Sequence, residues 1–423
     1  MRSLVFGHLV YLYTPLGIIA TIIGILMGGP WVWVGLAIFG FNIVMDTLTS
    51  GIHPKGAAVN AKGEAAGVGP ILNLMMYVQL VSFMALQLAV VWRIYQFTAG
   101  VPIESMMWNG YAYENGITGL GLYAVVIGAA MHQGLGIMFG HELAHTKGFG
   151  FLISRMMMGL SGCAAFCYAH VYNHHLELGR AWCGPEDNKM MEDTDPATAP
   201  RGRSLYKHWV ISTVGQSYFN YKTEQRRLKR MGKSFISLSN RWFRGYLLSV
   251  PTLALFVYAG YLGGGQNGAL LGLGCIAVIW VISTFELEAL NYMEHYGLIR
   301  VKGQPIEYRH SWDNDTAFSS WAFIEIGRQA DHHDRGETHF WELSSVGKQN
   351  GAPNAMIGYY TEFVIALIPP LWHSIYKKKL AIWDRDFANA EERKIAAKIN
   401  RMVGYEVDPE VVSGKKLEVN YSF

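Results

Sequence analysis

Residues 119–145 read GLGLYAVVIGAAMHQGLGIMFGHELAH, an apolar run that ends in two histidines four positions apart. The apolar part, residues 119–140, has about the length that a helix needs to cross a bilayer. Residues four positions apart lie on one face of an α-helix, so His141 and His145 would project together from its end. The stretch therefore predicts a membrane-spanning helix that ends in a metal-binding pair of imidazoles.

Three more histidine-rich stretches follow along the chain. They are HVYNHH with His170, His174 and His175, NYMEHYGL with His295, and QADHH with His332 and His333. The i, i+4 spacing recurs in the first of them, and His175 would lie about 100° around the helix, facing a second metal ion. Burying a polar group without a partner costs about 2 kcal/mol or more, so metal coordination is the simplest explanation for these histidines.

The sequence HELAH also matches the HExxH pattern of zinc proteases, in which Glu142 would be the general base. A single catalytic zinc takes about three protein ligands, whereas this chain offers many more imidazoles. The number of available imidazole ligands favours two metal ions. Imidazole ligands without thiolate suit non-haem iron and oxygen chemistry, although copper and zinc are also compatible with them.

The composition indicates an integral membrane protein. The chain has 423 residues, of which 51% are hydrophobic and only 16% charged, and its formal charge of +3 is too small to indicate nucleic-acid binding. Its cysteines, which show no paired CxxC spacing of a zinc or iron–sulfur site, are Cys163, Cys167, Cys183 and Cys275. The sequence thus contains no visible electron-transfer centre.

Apolar runs long enough to cross a bilayer predict six transmembrane helices. These runs are residues 9–27, 31–47, 71–92, 119–140, 246–263 and 269–290. Gly28, Gly29 and Pro30 separate the first two runs and predict a transmembrane hairpin. The expected fold class is an all-α integral membrane protein with a histidine-rich cytoplasmic cap.

Lysine and arginine in the loops predict the orientation. Residues 96–118 contain acidic but no basic residues, whereas residues 141–244 contain many basic ones, and Lys377–Lys379 follows in the C-terminal part. Both termini are therefore expected in the cytoplasm, and every histidine-rich stretch falls on that same side of the membrane.

Two further apolar segments, residues 151–169 and 355–376, are expected to lie at the membrane interface or to re-enter it, with a seventh crossing as the alternative. Pro369 and Pro370 interrupt the second segment. Residues 1–380 then form the transmembrane domain with its histidine-rich cap, and residues 381–423 form a charged cytoplasmic tail.

The order of four motifs resembles a known family. HELAH, HVYNHH with EDTDP downstream, NYMEHYGLIR, and DHH followed by THFWEL are similar in order and spacing to the membrane-bound di-iron hydroxylases. This family includes the alkane hydroxylases and the xylene and cymene methyl monooxygenases, with fatty-acid desaturases as distant relatives. RGRSLY and LSNR resemble the xylene monooxygenase branch most.

The resemblance implies a ligand set for two iron ions. It comprises His141, His145, His170, His174, His175, His295, His332 and His333. Gln329 stands where the family usually has a histidine, so it could ligate through its carbonyl oxygen, bind through water, or leave an open position. His310 is an alternative ligand, or a plain loop histidine.

Carboxylates near the motifs are candidates to orient the imidazoles through their second nitrogens. Glu142, Glu294 and Asp195 are the candidate catalytic residues, and Asp193, Asp313 and Asp331 are further candidates for the orienting role. Six other histidines are not expected to bind metal: His8, His53, His132, His208, His339 and His373.

The resemblance implies O2-dependent hydroxylation of a methyl group of a hydrophobic hydrocarbon to a primary alcohol. The substrate would be an alkyl-aromatic compound such as toluene, xylene or cymene, or a terminal alkane methyl. Electrons would come from a separate cytoplasmic reductase with FAD and a [2Fe–2S] cluster, or from a rubredoxin. A bacterial-type inner membrane is the expected location.

Several alternatives remain open from the sequence. A desaturase, or a carotenoid or terpenoid hydroxylase, would keep every histidine motif, an intramembrane zinc protease would depend on Glu142, and a metal carrier would bind metal without catalysis. The basic residues Arg226, Arg227, Lys229 and Arg230 could bind an acidic electron-transfer partner or anionic lipid.

Overall fold

The computed structural model describes residues 7–53, 67–182, 194–354 and 357–405. Most of these residues are helical. Helical segments long and apolar enough to cross a membrane are Leu9–Met27, Gly29–Leu48, Gly69–Thr98, Gly119–Ala144 and Arg241–His295. The prediction of a helical, multi-pass membrane protein is confirmed.

The first two segments form the hairpin that the Gly28–Pro30 break predicts. Helix α1 is Tyr13–Met27 after a 3-10 turn at Leu9–Leu12, and α2 is Val34–Leu48 after a 3-10 turn at Gly29–Trp33. Gly28 adopts a left-handed φ of 74°, a conformation that glycine reaches without a steric penalty.

Helix α3, Gly69–Thr98, runs from the histidine-rich end of the molecule to the opposite end. There a two-stranded antiparallel sheet, β1 (Glu104–Trp108) and β2 (Tyr111–Asn115), leads into α4 (Gly119–Ala144). Arg93 near the end of α3 is fully buried and donates to the carbonyls of Ile25, Leu26, Glu114 and Gly116. Its guanidinium thus satisfies backbone acceptors where three chain segments meet.

The long segment α10, Val250–His295, is two antiparallel arms rather than one rod. Gly264 and Gly265 have non-helical backbone angles, and a side chain at Gly260 would overlap the carbonyl of Gly268 across the turn. A straight helix of this length would extend for roughly 70 Å, more than twice the hydrocarbon thickness of a bilayer. The two arms correspond to the predicted spans at residues 246–263 and 269–290.

Short helices connect α4 to the second histidine motif. They are α5 (Phe149–Leu160), α6 (Phe166–Ala169), a π-helical turn at His170–His174 and α7 (His175–Glu177). With 12 residues, α5 extends for about 18 Å and is too short to cross a bilayer. It packs on α4, where the hydroxyl of Ser154 donates to the carbonyl of Gly140. The interfacial position of this segment stays a prediction.

Helix α8, Leu205–Arg230, was not predicted from the sequence. Its buried face carries polar residues at every fourth position, namely His208, Ser212, Gln216, Asn220 and Glu224. Both Ser212 and Gln216 donate to the carboxyl group of Glu288 on α10. An apolar stripe, the usual sign of a packed helix, is therefore missing from the sequence.

The rest of the described chain covers the histidine-rich end. Its elements are α9 (Arg241–Leu247), α11 (Ala317–Ala322), α12 (Gln329–Asp334), α13 (Tyr359–Ala366), α14 (Pro369–Asp386), α15 (Ala390–Val403) and 3-10 turns at Tyr308–His310, Phe340–Glu342 and Lys348–Asn350. The predicted break before Pro369 and Pro370 is present, because α13 ends at Ala366 and α14 begins at Pro369.

Helix α14 runs through residue 380, the predicted start of the tail. Arg201 donates to Asp384 of α14 and to Asn400 of α15, so the described part of the tail packs on the preceding chain. Residues 406–423 and Asp193 lie outside the described residues. The division at residue 380 stays a prediction.

Candidate metal centre

Eight histidines from four distant parts of the chain meet at one end of the helices. They come from the end of α4 (His141, His145), the π turn and α7 (His170, His174, His175), the end of α10 (His295) and α12 (His332, His333). Seven of them form two groups whose nitrogens are close enough to hold a metal ion.

The first group contains His141, His145, His170 and His332, with ligand atoms all within 4.8 Å of one another. The rings of His141 and His170 are 4.1 Å apart, centroid to centroid. The Nε2 atom of His170 lies 3.0 Å from Nε2 of His145. The predicted pairing of His141 with His145 is therefore present, and two other segments add to it.

The second group contains His174, His295 and His333, also with ligand atoms within 4.8 Å. Ring centroids are 4.8 Å apart between His174 and His295 and 5.1 Å apart between His295 and His333. All three residues are buried. This group draws one imidazole from each of three segments.

His175 lies between the two groups. Its ring centroid is 4.7 Å from that of His145 and 4.5 Å from that of His333. Its Nε2 atom is 3.0 Å from Nε2 of His170. This position suits the expected reach of His175 toward a second metal ion.

The π-helical turn explains how one short motif supplies both groups. The i, i+4 spacing predicts that His170 and His174 share a face, yet the structure divides them between the two groups. A π turn widens the helix, and such turns are common at functional sites. The widened turn sends His170 toward α4 and His174 toward α10.

Burial favours the neutral form of five of these imidazoles. Loss of solvent lowers the pKa of His145 to about 4, and neighbouring imidazoles act in the same direction. The pKa is held well below its usual value, first by burial and then by other histidines, in His170, His175, His332 and His333. A neutral imidazole offers the lone pair that a metal ion requires.

The hydrogen bonding of these rings fits metal binding. Among the described residues, neither ring nitrogen of His333 has a hydrogen-bond partner, and Nε2 of His332 has none. Buried polar atoms are normally satisfied, and each exception needs an explanation. One metal ion in each group would give one nitrogen of each of these rings its missing partner, and an all-imidazole donor set suits iron.

Asp195 orients one of the imidazoles. The Nδ1 atom of His174 donates to its carboxylate over 2.8 Å. That carboxylate also accepts from the hydroxyl of Thr198 and from the backbone N–H of Ala197. The contact directs Nε2 of His174 toward the second group, which is the role expected for a carboxylate behind a metal ligand. The sequence reasoning missed Thr198.

The other candidate acids have different partners. The Glu142 carboxyl accepts from the backbone N–H of Phe340, and Asp313 accepts from that of Ala330 at the start of α12. Asp331 binds Arg335 and Ser344. The structure thus gives Glu142, Asp313 and Asp331 contacts that hold the surrounding backbone.

Glu294 binds the hydroxyl of Tyr359 over 2.9 Å, and its second oxygen lies 4.0 Å from Nε2 of His295. Gln329 donates through Nε2 to the carbonyl of Ile326 and lines the same cavity as Glu294. Its role at the metal stays a prediction. Tyr359 was not singled out from the sequence.

The ring of His310 belongs to neither group of imidazoles. Its Nε2 atom is 2.9 Å from Glu392 on α15, and its Nδ1 accepts from the backbone N–H of Glu307. His132 likewise contacts the hydroxyl of Thr21 over 2.8 Å, within the helix bundle. Both rings have partners within the protein.

Two neighbouring cavities lie between the imidazoles and the apolar helix bundle. One cavity is lined by His141, His170 and His174 on one side. A second cavity has mostly apolar walls. They share the wall residues Gly134, Met138 and Leu290 and therefore adjoin. A hydrophobic molecule could extend from the apolar cavity to the imidazoles.

Comparisons with known proteins identify the family of this chain. The family model of fatty acid desaturases matches residues 116–388. The xylene/toluene monooxygenase hydroxylase component XylM of Pseudomonas putida is 30% identical over 405 residues, which is 93% of this chain and 95% of that protein. An alkane 1-monooxygenase 1 of Pseudomonas aeruginosa is 26% identical over 418 residues, covering 89% and 96%. The chain belongs to the fatty acid desaturase family.

A third relative, an alkane 1-monooxygenase of Acinetobacter baylyi, is 28% identical over 306 residues, or 69% of this chain and 68% of that protein. The predicted resemblance to membrane hydroxylases is confirmed. The predicted enzyme class, a membrane-bound monooxygenase and hence an oxidoreductase, is confirmed by the same relatives.

Proposed function

We propose that the chain uses O2 to hydroxylate a methyl group of a hydrophobic hydrocarbon to a primary alcohol. The substrate is an alkyl-aromatic compound such as toluene, xylene or cymene, or a terminal alkane methyl. Two iron ions are held by His141, His145, His170 and His332 and by His174, His295 and His333, with His175 between them. Bound there, the iron would supply the activation of O2.

One observation carries the proposal: buried imidazoles form the wall of a cavity that adjoins an apolar one. Gly134, Met138 and Leu290 belong to both cavities. Apolar walls attract a hydrocarbon and exclude water, while the imidazole end offers the metal chemistry. A soluble polar substrate would gain little from this arrangement.

The residues of the chain hold the metal ligands in place and orient the substrate. Asp195 fixes the ring of His174, and the short π turn places His170 and His174 in separate groups. Apolar side chains such as Met138 and Leu290 would position the methyl group beside the imidazoles. Positioning of this kind contributes a large share of catalysis when the reactants are otherwise unoriented.

Electrons are proposed to come from a separate protein, either a reductase with FAD and a [2Fe–2S] cluster or a rubredoxin. The end of α8 carries the basic residues Arg226, Arg227, Lys229 and Arg230, which stay the predicted contact for an acidic partner. Arg227 already pairs with Glu224 over 2.9 Å. Unchanged reductase-dependent turnover after replacing all four by Ser would exclude this contact.

The membrane topology proposed is six crossings with both termini in the cytoplasm of a bacterial cell. The reversal at Gly264 and Gly265 supports two crossings within the last candidate span. The convergence of the histidine motifs supports one shared side for all of them. Cysteine labelling of the loop at Gly265 and of Ser234, from outside intact cells, would test the two sides.

The function is tested by expressing the chain with a flavin and iron–sulfur reductase and supplying toluene, p-xylene, p-cymene and a linear alkane. The expected products are primary alcohols, identified by mass spectrometry, with oxygen from 18O2. His332→Ala should abolish product, whereas His53→Asn, a change at an exposed histidine paired with Asp315, should retain it. A double bond in the product would instead assign the chain to the desaturases.

A further inference from the structure

One acidic side chain lines the apolar cavity. Glu286 on α10 contributes a carboxyl group to walls that otherwise include Phe39, Met131 and Phe363. No hydrogen bond or ion pair joins it to any of the residues that the structure describes, and its Oε2 atom is buried. The group is not part of the metal centre described above.

The fold makes room for this carboxyl group. Oε2 of Glu286 lies against Gly134 of α4, and a side chain at Gly134 would overlap it. Glycine is less favourable than alanine inside a helix, so this position accepts a destabilising residue. The close approach holds the carboxyl group at the cavity wall.

Glu288, two positions along the same helix, shows how a structural buried acid is treated. Its carboxyl accepts hydrogen bonds from Ser212, Gln216 and Asn291. Burying a polar group without such donors is unfavourable, and a lone carboxylate is more so. Glu286 as a whole is only partly buried, but its Oε2 atom is buried and lacks such donors, and the contrast indicates that the partner of Oε2 is something that enters the cavity.

The distance to the imidazoles limits what that partner can be. Gly134 precedes His141 by seven helical positions, which corresponds to about 10 Å along α4. Glu286 precedes His295 by nine positions, or about 14 Å along α10. A molecule with a methyl group at the imidazole end would place its opposite end near Glu286. An aromatic ring with two substituents in para positions has a suitable length to reach from the imidazole end to Glu286.

We infer that Glu286 binds a hydroxyl group of the substrate, so that the enzyme accepts methyl-substituted aromatic alcohols and directs their methyl group to the imidazoles. The inference rests on the proposed function and specifies its substrate class. The reaction is R–CH3 + O2 + two electrons + two protons giving R–CH2OH and water, with the electrons from the separate redox protein. The hydroxyl group held by Glu286 is not oxidised.

A matched pair of ligands tests the inference: p-xylene and 4-methylbenzyl alcohol, which differ by one hydroxyl group. Binding is measured by calorimetry on metal-depleted protein in detergent, with each affinity corrected for partition into the micelle. Wild-type protein should bind the alcohol more tightly than p-xylene. Glu286→Leu should weaken alcohol binding roughly tenfold or more and leave p-xylene binding unchanged or stronger.

Two controls accompany the binding measurement. Glu104→Gln changes an exposed acid on β1 and should leave both affinities unchanged. Glu286→Gln keeps the shape and a hydrogen-bonding group, so it should lose less alcohol affinity than Glu286→Leu. If Glu286→Leu does not fold, the test uses wild-type protein and Glu286→Gln. The ratio of alcohol affinity to p-xylene affinity, corrected for micelle partition, should then be higher for wild-type protein than for Glu286→Gln.

Turnover provides a separate readout. Wild-type enzyme should convert 4-methylbenzyl alcohol mainly to the diol, and Glu286→Leu should shift the product toward 4-methylbenzaldehyde because the orientation is lost. Equal affinities of wild type for both ligands, or an equal loss for both in Glu286→Leu, would overturn the role of Glu286. Selective alcohol binding without oxidation of either compound would support that role and contradict the proposed hydroxylation.

Discussion

The two ends of the helix bundle treat their buried polar side chains in opposite ways. At the end with the β-hairpin, Arg93 is buried and donates to four backbone carbonyls and to Gln96. At the other end, His332 and His333 are also buried, yet three of their ring nitrogens have no partner among the described residues. At the β-hairpin end the buried guanidinium of Arg93 is satisfied by the protein, whereas the unsatisfied imidazoles at the other end have the form of a binding site.

The difference separates stability from function. Hydrogen bonds that satisfy a buried group favour folding, whereas an unsatisfied buried group costs about 1–3 kcal/mol and persists where function requires it. The Arg93 end should therefore govern the free energy of unfolding. The imidazole end should govern metal content and turnover, with little or no loss of stability when the metal-free protein is compared.

The largest expected effect is that of His332→Ala on metal content. His332 lies on α12 and belongs to the first group, so its loss should remove iron from that group and abolish turnover. The metal-free variant should melt at or above the temperature of the metal-free wild type, because an unsatisfied imidazole is removed. Iron analysis and thermal unfolding in detergent provide the measurements. Normal iron content would show that His332 is no ligand.

Arg93→Met should have the next largest effect, on stability. Removing the guanidinium leaves backbone carbonyls such as those of Ile25 and Gly116 without their donor, which should lower the free energy of unfolding by about 3 kcal/mol or more. The folded fraction should keep its iron per chain. Arg401→Met, at an exposed position of α15, is the matched control for denaturant unfolding. A loss of iron in Arg93→Met without a loss of stability would contradict the assignment of stability to the Arg93 end and of metal binding to the imidazole end.

A smaller effect is expected for Asp195→Asn. The amide weakens the hydrogen bond that fixes the ring of His174, so iron affinity should fall by about 10- to 100-fold. Competition with a chelator measures this affinity. Stability of the metal-free protein should change little. An unchanged affinity would show that Asp195 only holds the turn at Ala197 and Thr198.

The smallest effect is expected for Gln329→His, which restores the residue that the resembled family usually carries. Nε2 of Gln329 already binds the carbonyl of Ile326, so this side chain is partly satisfied, unlike His332. Iron affinity should change by less than about tenfold, and the iron content per chain should stay the same. Loss of iron in Gln329→His would instead assign a direct ligand role to the amide.

Much of the fold could be predicted from the sequence because its signals are local. The apolar runs gave helices at the expected places, and Gly28 and Gly264 lie at the turns between them. The spacing of His141 and His145 likewise predicts their proximity, since both lie at the end of one helix. These features depend only on helix geometry and bilayer thickness.

Features that depend on tertiary contacts could not be predicted. The buried face of helix α8 is polar because Ser212 and Gln216 donate to Glu288, a contact that the local sequence does not reveal. The π turn that separates His170 from His174 cannot be recognised from the spacing of the histidines in this five-residue segment. The role of Arg93 follows from carbonyls that lie more than 20 residues away in the sequence, and the exposure of Glu286 to a cavity follows from the packing of α4 on α10.

The metal content of the purified wild-type protein tests the central claim most directly. The two groups of imidazoles predict about two iron ions per chain, with zinc and copper well below that level, when the protein is produced in iron-sufficient cells. Inductively coupled plasma mass spectrometry with amino-acid analysis gives this ratio. About one zinc ion per chain and no iron would contradict the account.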